Sequence, residues 1–220
     1  MVFDWDGTLM DSESQITTSL ANVISELGLA KRSQHELRNV IGLGLPEAVR
    51  RLYPELAREI INNFVGRYRR HFLSGHQGTS VLFDGAMEVI KRLHADDYLL
   101  AVATGKSRRG LDRSLQETAA GDYFHITRCA DETFSKPHPQ MLLEIMSILD
   151  VAPEETVMVG DTEYDLEMAT EAGTASLGVT YGVHTLERLL THQPLACLDD
   201  ISEVGKLLYK VDSCEQGVRR

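Results

Sequence analysis

Two carboxylates stand one residue apart directly after a short apolar segment at the beginning of the sequence. Val2 and Phe3 have the character of a strand end, Asp4 and Asp6 follow them, and Gly7 permits a sharp turn of the backbone. The pattern also fits a solvated turn. In a buried setting, however, two acids this close are costly unless a positive charge lies beside them. Carboxylate oxygens suit Mg²⁺, so the segment predicts a strand that ends in a magnesium site.

From residue 83 onward, segments of strand character alternate with segments of helical character. The predicted strands cover residues 98–103, 126–130, 156–159, 175–179 and 197–198. The predicted helices cover residues 85–93, 107–119, 139–149, 161–172, 185–191 and 201–209. Such alternation predicts an α/β fold with a doubly wound parallel sheet. Active sites in sheets of this kind lie at the carboxyl ends of the strands.

Residues 13–80 differ from the rest because they have helical character and contain no predicted strand. Apolar residues recur at helical spacing over residues 16–27. Ser33 and Glu36 have the spacing of a capping box, and Pro46 suits the first turn of a further helix. The sequence therefore predicts a small all-helical insert between two parts of the α/β fold.

A hydroxyl and a glycine, Thr104 and Gly105, follow one of the predicted strands. A hydroxyl and backbone amides between a strand and a helix can bind phosphate oxygens, although Thr104 would equally suit capping the helix. Gly105-Lys106-Ser107 also resembles the end of a nucleotide-binding P-loop. That motif needs a glycine five residues before Gly105, where Leu100 stands, so we reject ATP binding.

Lys136 precedes Pro137 and lies two residues before His138-Pro139, at the start of a predicted helix. The two prolines restrict the backbone around the lysine. An ammonium held in this way could neutralise an attacking carboxylate and a phosphoryl group. Taken alone, the segment favours a surface loop that carries a lysine.

A second pair of acids, Asp161 and Asp165, follows the apolar strand predicted at 156–159. Residues four apart share one face of a helix, so the two carboxylates are expected to lie close together and to favour a cation. The alternative is that they are acids at a helix N-terminus that complement the helix dipole.

Taken in chain order, these four segments resemble the four motifs of the haloacid dehalogenase superfamily of phosphatases. The resemblance covers nearly the whole chain and is greatest to the subfamily that includes phosphoglycolate phosphatases and β-phosphoglucomutases. It implies a Rossmann-like α/β core domain of residues 1–12 and 81–220 and an inserted helical cap domain of residues 13–80. One departure is that only residues 1–3 precede the first motif, whereas members of the family usually have a longer first strand; it bears on the stability of the central strand and not on the chemistry.

The resemblance implies two-step phosphoryl transfer. Asp4 would attack phosphorus and become an aspartyl-phosphate, and Asp6 would protonate the leaving alcohol and then activate water. Thr104, the Gly105 amide and Lys136 would hold the transferring group.

The resemblance also implies which residues bind the metal ion. Mg²⁺ would be bound by Asp4, the Asp6 backbone carbonyl and Asp161, with Asp165 as a direct or outer ligand.

The predicted function is hydrolysis of a small phosphate ester, phosphoglycolate or a similar metabolite, by a Mg²⁺-dependent phosphatase. A phosphomutase of the β-phosphoglucomutase type has the same core residues and stays open as the alternative. A dehalogenase would lack Asp6, and a phosphonate hydrolase would need a lysine from the cap, where only Lys31 occurs. A non-catalytic binding module is less favoured because every catalytic position is filled.

Charge and composition restrict the partners. The net charge of −11 argues against bulk nucleic-acid binding. No long apolar run, targeting segment or lipidation motif is present, which predicts a cytoplasmic protein with no membrane partner. Three cysteines without a CxxC pair, Cys129, Cys197 and Cys214, indicate free thiols in a reducing compartment. The oligomeric state is left undetermined.

The helical insert is positively charged, although the chain is acidic. Residues 14–80 contain nine basic and five acidic side chains, a net of +4, which leaves −15 for the remainder. A positive lid would attract anionic substrates. Eight of the nine bases are arginines, so we expect one of them to contact a second anionic group of the substrate, with Arg50, Arg67 and Arg70 as candidates.

Three other features are interpreted as structural. Gly42-Leu43-Gly44 lacks the third glycine of a dinucleotide fingerprint, and no strand precedes it. His71 and His76 are not expected to bind a metal. His184 could lie in a loop of the active site, but an ordinary loop position is favoured.

Overall fold

The structure is a computed structural model that describes residues 1–74 and 81–207. Its main sheet has six parallel strands in the order β5-β4-β1-β6-β7-β8, which confirms the predicted α/β class. The strands are β1 (Val2–Phe3), β4 (Ala101–Thr104), β5 (Ile126–Cys129), β6 (Val157–Gly160), β7 (Ala175–Val179) and β8 (Ala196–Leu198). Because β1 lies between β4 and β6, the first predicted motif occupies the centre of the sheet.

Helices cover both faces of this sheet. They are α5 (Ala86–Ala95), α6 (Arg108–Thr118), α7 (Gln140–Leu149), α8 (Glu163–Glu171) and α9 (Leu186–Leu190), with short 3₁₀ turns at Gly121–Tyr123 and Pro153–Glu155. Residues 203–207 are also helical; the remainder of the helix predicted over 201–209 lies outside the described residues.

Two buried apolar clusters fill the space between sheet and helices. Successive strand side chains point to opposite faces, so Phe3 and Val102 join one cluster while Val2 and Ala101 join the other. The first cluster contains side chains of α5, and the second contains side chains of α7 and α8. This two-sided burial is the reason that the strands consist almost entirely of apolar residues.

The helical segment, residues 13–74, contains α1 (Glu13–Glu26), α2 (Gln34–Arg38), α3 (Leu45–Leu52) and α4 (Arg58–Ser74). Within these described residues the structure has helices and no strand, as the sequence predicted. The Ser33–Glu36 capping box is present, and Pro46 lies in the first turn of α3. The segment has an apolar cluster of its own, which includes Leu20, Val49 and Phe64.

The proposed division into a core domain and a cap domain of residues 13–80 stays a prediction. Residues 75–80, with His76, lie outside the described residues, as do Cys214 and the chain after residue 207. The described cysteines, Cys129 and Cys197, are free thiols. No helix in the described part of the chain has the length and apolarity needed to cross a membrane.

The structure contains a two-stranded ribbon that was absent from the sequence-based assignment. Strand β2 (Met10–Asp11) pairs antiparallel with β3 (Val81–Leu82). Strand β2 directly precedes the helical segment and β3 follows it, so the ribbon pairs the two connections between that segment and the α/β part. Two-residue strands are too short to show an apolar period, and their pairing spans about seventy residues of sequence.

Two predicted boundaries were also wrong. The strand predicted at 98–103 starts only at Ala101, because its parallel neighbour β1 is two residues long and Val2 pairs with Ala101. The helix predicted at 161–172 starts at Glu163, because Thr162 is extended. Asp161 therefore lies on a loop at the carboxyl end of β6, and Asp165 lies in the first turn of α8.

Candidate active site

The carboxyl ends of β1, β4 and β6 bring three of the predicted site residues to one edge of the sheet. Asp4 follows β1, Thr104 ends β4, and Asp161 follows β6. Lys136 reaches the same edge from the loop between β5 and α7, and its Nζ lies 2.7 Å from Asp4 Oδ1 and 2.5 Å from Asp165 Oδ1. The parallel sheet therefore brings together parts of all four sequence segments.

Three carboxylates form a compact buried cluster. One oxygen each of Asp4, Asp161 and Asp165 lies within 4.8 Å of the others, and all three side chains are buried. Lys136 is the cation in contact with this cluster among the described residues. Three carboxylates and one ammonium leave an excess of negative charge where water cannot screen it.

The pKa values reflect this excess charge. Burial raises the pKa of Asp4 well above its usual range, and Lys136 only partly offsets the effect. Burial and the neighbouring Asp165 raise the pKa of Asp161 to about 7, against hydrogen bonds from Val183 and Thr8. Burial lowers the pKa of Lys136, but the two carboxylates that it contacts raise it by more, so the net shift is upward.

The cluster fits a divalent cation. Asp4 Oδ2 is buried and has no hydrogen-bond partner among the described residues. Asp161 is held by Thr8 Oγ1, which donates to Oδ1 at 2.9 Å, and by the Val183 amide, which donates to Oδ2 at 2.8 Å. An oxygen-only donor set with an unpaired carboxylate oxygen is what a hard cation requires.

Asp165 accepts more hydrogen bonds from the protein than the other two acids of the cluster. Its Oδ1 accepts from Lys136 Nζ, and its Oδ2 accepts from the Thr162 amide at 3.1 Å and the Thr162 hydroxyl at 2.6 Å. These contacts hold Lys136 and the start of α8 in place. They favour the outer of the two metal-binding roles that the sequence left open for Asp165.

The Asp6 side chain makes contacts outside the acidic cluster. Lys106 Nζ donates to both of its carboxylate oxygens at 2.7 Å, and Ser12 Oγ donates to Oδ1 at 2.6 Å. Metal binding through the Asp6 backbone carbonyl stays a prediction. The sequence pattern relates Lys106 only to a P-loop and predicts no role for Ser12. The position of Lys106, two residues beyond a strand-end threonine, could have indicated its closeness to the site.

Thr104 does not cap the helix that follows it. Ser107 is the capping residue of α6, and it accepts from the Gly110 amide at 3.4 Å. The Thr104 hydroxyl accepts from the Lys106 amide at 3.2 Å and is buried at the end of β4. Thr104 and Gly105 line a cavity together with Asp4, and their binding of a phosphoryl group stays a prediction.

The cavity has a volume of about 250 Å³ and lies between the strand ends and the helical segment. Its polar end contains Asp4, Asp6, Thr104 and Lys106, and its other walls come largely from apolar residues of the helical segment. The described lining includes Arg69 but none of the three arginines named from the sequence, Arg50, Arg67 and Arg70.

Two of those arginines are engaged on the surface of the helical segment. Arg50 pairs with Glu47 at 2.9 Å, and Arg67 pairs with Glu26 at 3.0 Å. Arg69 instead pairs with Asp131 of the core at 3.4 Å, so it bridges the helical segment and the α/β part.

Two segments interpreted as structural lie beside the site. The carbonyl oxygens of Gly42 and Leu43 approach Gly105 so closely that a Cβ there would be 2.5 Å from each. His184 is buried, its amide donates to the Asp161 carbonyl at 3.3 Å, and its Nδ1 accepts from the Glu163 amide at 3.0 Å. Both segments therefore support the loops that carry the site residues.

Comparison with known proteins finds the same fold and related sequences. The family model of haloacid dehalogenase-like hydrolases matches residues 1–179. The chain is 33% identical over 210 residues to Probable phosphatase IndB of Dickeya dadantii, covering 93% of this chain and 90% of that protein. It is 26% identical over 209 residues to Pyrophosphatase PpaX of Anoxybacillus flavithermus, covering 94% and 95%. The crystal structure of a predicted phosphoglycolate phosphatase from Haemophilus somnus 129PT matches with a TM-score of 0.84 at 24% identity, covering 94% and 96%.

Proposed function

This chain belongs to the haloacid dehalogenase-like hydrolase family, and we propose that it is a Mg²⁺-dependent phosphatase that hydrolyses a small phosphate monoester. The observation that carries the proposal is the buried cluster of Asp4, Asp161 and Asp165 beside Lys136, whose member Asp4 also lines the cavity. A small cavity suits a metabolite rather than a macromolecular substrate, since pockets for small ligands start at roughly 300 Å³.

Asp4 is the proposed nucleophile. Asp4 lines the cavity and is the acid that directly follows the central strand β1, so a phosphate ester in the cavity would meet its carboxylate. Attack forms an aspartyl-phosphate and releases the alcohol, and water then cleaves the acyl-phosphate to return the carboxylate. The Thr104 hydroxyl, the Gly105 amide and the Lys136 ammonium are the proposed ligands of the phosphoryl oxygens.

Asp6 is the proposed general acid and base. It lines the same cavity as Asp4 and would give a proton to the leaving alcohol, then take one from the attacking water. Lys106 and Ser12 orient its carboxylate. When bound by Asp4, Asp161 and the Asp6 carbonyl, Mg²⁺ would supply positive charge that offsets the repulsion between the carboxylates and the phosphoryl group.

The names of similar proteins bear on the class of substrate. The likeness to a structure named for phosphoglycolate supports a small metabolite, while the relatives named IndB and PpaX are a phosphatase and a pyrophosphatase. The phosphomutase alternative has the same core residues but is not favoured, because these curated relatives are named for hydrolysis.

The proposed function can be tested by substitution of Asp4, the proposed nucleophile. Asp4→Asn should release no phosphate from p-nitrophenyl phosphate in the presence of Mg²⁺, because an amide cannot form the acyl-phosphate. The unchanged protein should bind beryllofluoride at Asp4, detectable by ¹⁹F NMR, and the variant should not. Asp11→Asn is the matched control, since Asp11 is an exposed acid in the same segment. Full activity of Asp4→Asn would exclude Asp4 as the nucleophile.

A further inference from the structure

We infer that the substrate carries an apolar group, of short-alkyl or single-ring size, on the alcohol that leaves, and that the wall supplied by the helical segment selects it. This inference rests on the proposed phosphatase function and names its substrate class. It differs from the expectation of a doubly anionic substrate such as phosphoglycolate.

The composition of the cavity is the first reason. Ten of the twelve lining residues from the helical segment are apolar or aromatic; the exceptions are Gly42 and Arg69. Ile16, Leu45 and Phe72 are only half-buried, so their side chains remain accessible. A ligand that fills this space would gain about 25 cal/mol for each Å² of apolar surface removed from water.

The second reason for an apolar leaving group is that the cations lining the cavity are already paired or exposed to water. Lys106 is already bound to Asp6 by two contacts of 2.7 Å, and Arg69 is paired with Asp131. A further lining cation, Arg109, is exposed, so an anion bound there would stay largely in water. A second carboxylate deep in the cavity would have to displace the buried Lys106–Asp6 pair or lie against apolar side chains without a partner, and both are costly. The Arg69–Asp131 pair is exposed, so an anion bound at Arg69 would also stay largely in water.

An aromatic wall stands next to the polar end of the cavity. The Phe72 ring lies 4.8 Å from Lys106 Nζ, and the Tyr68 ring stacks on it with centroids 5.6 Å apart. Lys106 also contacts Asp6, the proposed proton donor to the leaving oxygen. A substituent attached to that oxygen would therefore meet this aromatic wall within a few bonds of the ester.

The volume of the cavity is large enough for a short alkyl chain or one ring. An apolar cavity of roughly 150 Å³ is large enough to bind benzene. The cavity of about 250 Å³ can therefore take a phosphoryl group at its polar end and a short alkyl chain or one ring beyond it. Glycolate, which has two carbons and a carboxylate, would leave most of the apolar wall uncovered.

The test is a homologous series in which the chemistry of the ester stays constant. Ethyl, butyl and hexyl phosphate have leaving alcohols of similar acidity and differ only in apolar length. Each methylene that becomes fully buried should raise kcat/KM by about fourfold. We expect hexyl phosphate to exceed ethyl phosphate by at least tenfold, and to exceed phosphoglycolate. A hexyl-to-ethyl ratio near or below one, with phosphate release measurable, would overturn the inference.

Two matched variants test whether the cavity wall is the source of the preference for hexyl phosphate. Ile16→Asn places a polar amide in the cavity wall and should reduce the hexyl-to-ethyl ratio at least threefold. Ile60→Asn makes the same change at an exposed position of α4 that does not line the cavity, and it should keep the ratio. Because the ratio is taken within one preparation, it does not depend on how much of a variant is folded. An equal ratio in all three proteins would assign the preference to a place other than this wall and overturn the inference.

A binding measurement separates this inference from the proposed function. Ethylphosphonate and hexylphosphonate cannot be hydrolysed, and their affinity is measured by calorimetry with Mg²⁺. If no ester is hydrolysed, the phosphatase proposal fails. In that case tighter binding of hexylphosphonate, weakened by Ile16→Asn, still supports an apolar site, and binding that is independent of chain length overturns it.

Discussion

At the scale of single residues, the site depends on buried charges that compensate one another only in part. Lys136 contacts two carboxylates of the acidic cluster, and Lys106 contacts the remaining acid of the first motif, Asp6. The two lysines therefore separate the acids into two groups. One group is the proposed site of metal binding and nucleophilic attack, and the other is the proposed site of proton transfer.

Lys106→Gln should lower kcat at least tenfold without loss of the fold. Asp6 would lose two charge-assisted hydrogen bonds, each worth about 1.5–3 kcal/mol, and would keep only the bond from Ser12 to hold it in orientation. The measurement is steady-state turnover of p-nitrophenyl phosphate alongside thermal unfolding. Lys91→Gln, at an exposed lysine of α5, is the control. A kcat within twofold of the unchanged protein would show that Lys106 does not position Asp6.

Asp161→Asn should raise the Mg²⁺ concentration that gives half-maximal activity by at least tenfold. The amide oxygen can still accept from the Val183 amide, and the amide NH₂ can donate to the Thr8 hydroxyl, but the side chain lacks the charge that a cation needs. Activity is titrated with Mg²⁺ from micromolar to tens of millimolar. Glu171→Gln, at an exposed acid at the end of α8, should leave the titration unchanged. An unshifted midpoint in Asp161→Asn would remove Asp161 from the metal ligands.

At the scale of elements, one loop of the helical segment touches several of the site loops. The Gly44 amide donates to Ser135 Oγ at 2.7 Å, next to Lys136. The Tyr164 hydroxyl at the start of α8 donates to the Asn39 carbonyl at 2.7 Å. The loop over residues 39–44 therefore connects the helical segment directly to the residues that carry the chemistry.

Gly105→Ala should reduce kcat/KM at least tenfold, because its Cβ would lie 2.5 Å from the carbonyl oxygens of Gly42 and Leu43. The loop would have to move, and a displacement of about 1 Å near a reacting centre can cost roughly a hundredfold in rate. Gly66→Ala tests the opposite case in α4, where an added Cβ meets no atom within 4 Å. It should keep full activity and raise the free energy of unfolding by about 0.5–1 kcal/mol. Equal activity of the two variants would show that the close contact at Gly105 has no part in turnover.

At the scale of the whole molecule, negative charge dominates outside the helical segment, and part of it is buried. The chain has a net charge of −11, yet residues 14–80 contribute +4. The buried cluster adds local repulsion to this general excess, since burial raises the pKa values of both Asp4 and Asp161. Folding therefore brings like charges together, and a bound cation would relieve that repulsion.

Mg²⁺ should consequently stabilise the folded protein. A ligand present at a hundred times its dissociation constant adds about 2.7 kcal/mol to the free energy of unfolding, which for this size of protein raises Tm by roughly 5–10 °C. The measurement is thermal unfolding in EDTA and in excess Mg²⁺, with NaCl added to equal ionic strength. Asp161→Asn should lose at least half of the shift, because a tenfold weaker affinity at the same Mg²⁺ concentration halves this stabilisation. If NaCl alone produced the same shift, the effect would be general screening and not binding at the cluster.

The sequence by itself determined the features that depend on neighbouring residues. Apolar runs and helical periodicity located the main strands and helices, and the α/β class followed from their alternation. The site residues Asp4, Thr104, Lys136 and Asp161 were identified because the four segments that contain them resemble, in chain order, the four motifs of one family. Each segment also lies beside a predicted strand or helix end, and in a parallel sheet the carboxyl ends of the strands meet at one edge, which agrees with these side chains coming together.

The tertiary structure alone decided which distant residues touch. Lys106 contacts Asp6 across a hundred residues of sequence, and the apolar wall of the cavity combines α1, α3 and α4 with the core. Neither contact leaves a local pattern, since a lysine after a strand or an apolar residue on a helix is equally typical of surface and core. Arg69 lines the cavity while Arg67 and Arg70 do not, because the packing of α4 selects the face that meets the core. The substrate preference is therefore a property of the packed molecule, whereas the proposed reaction could be predicted from the sequence of its four motifs.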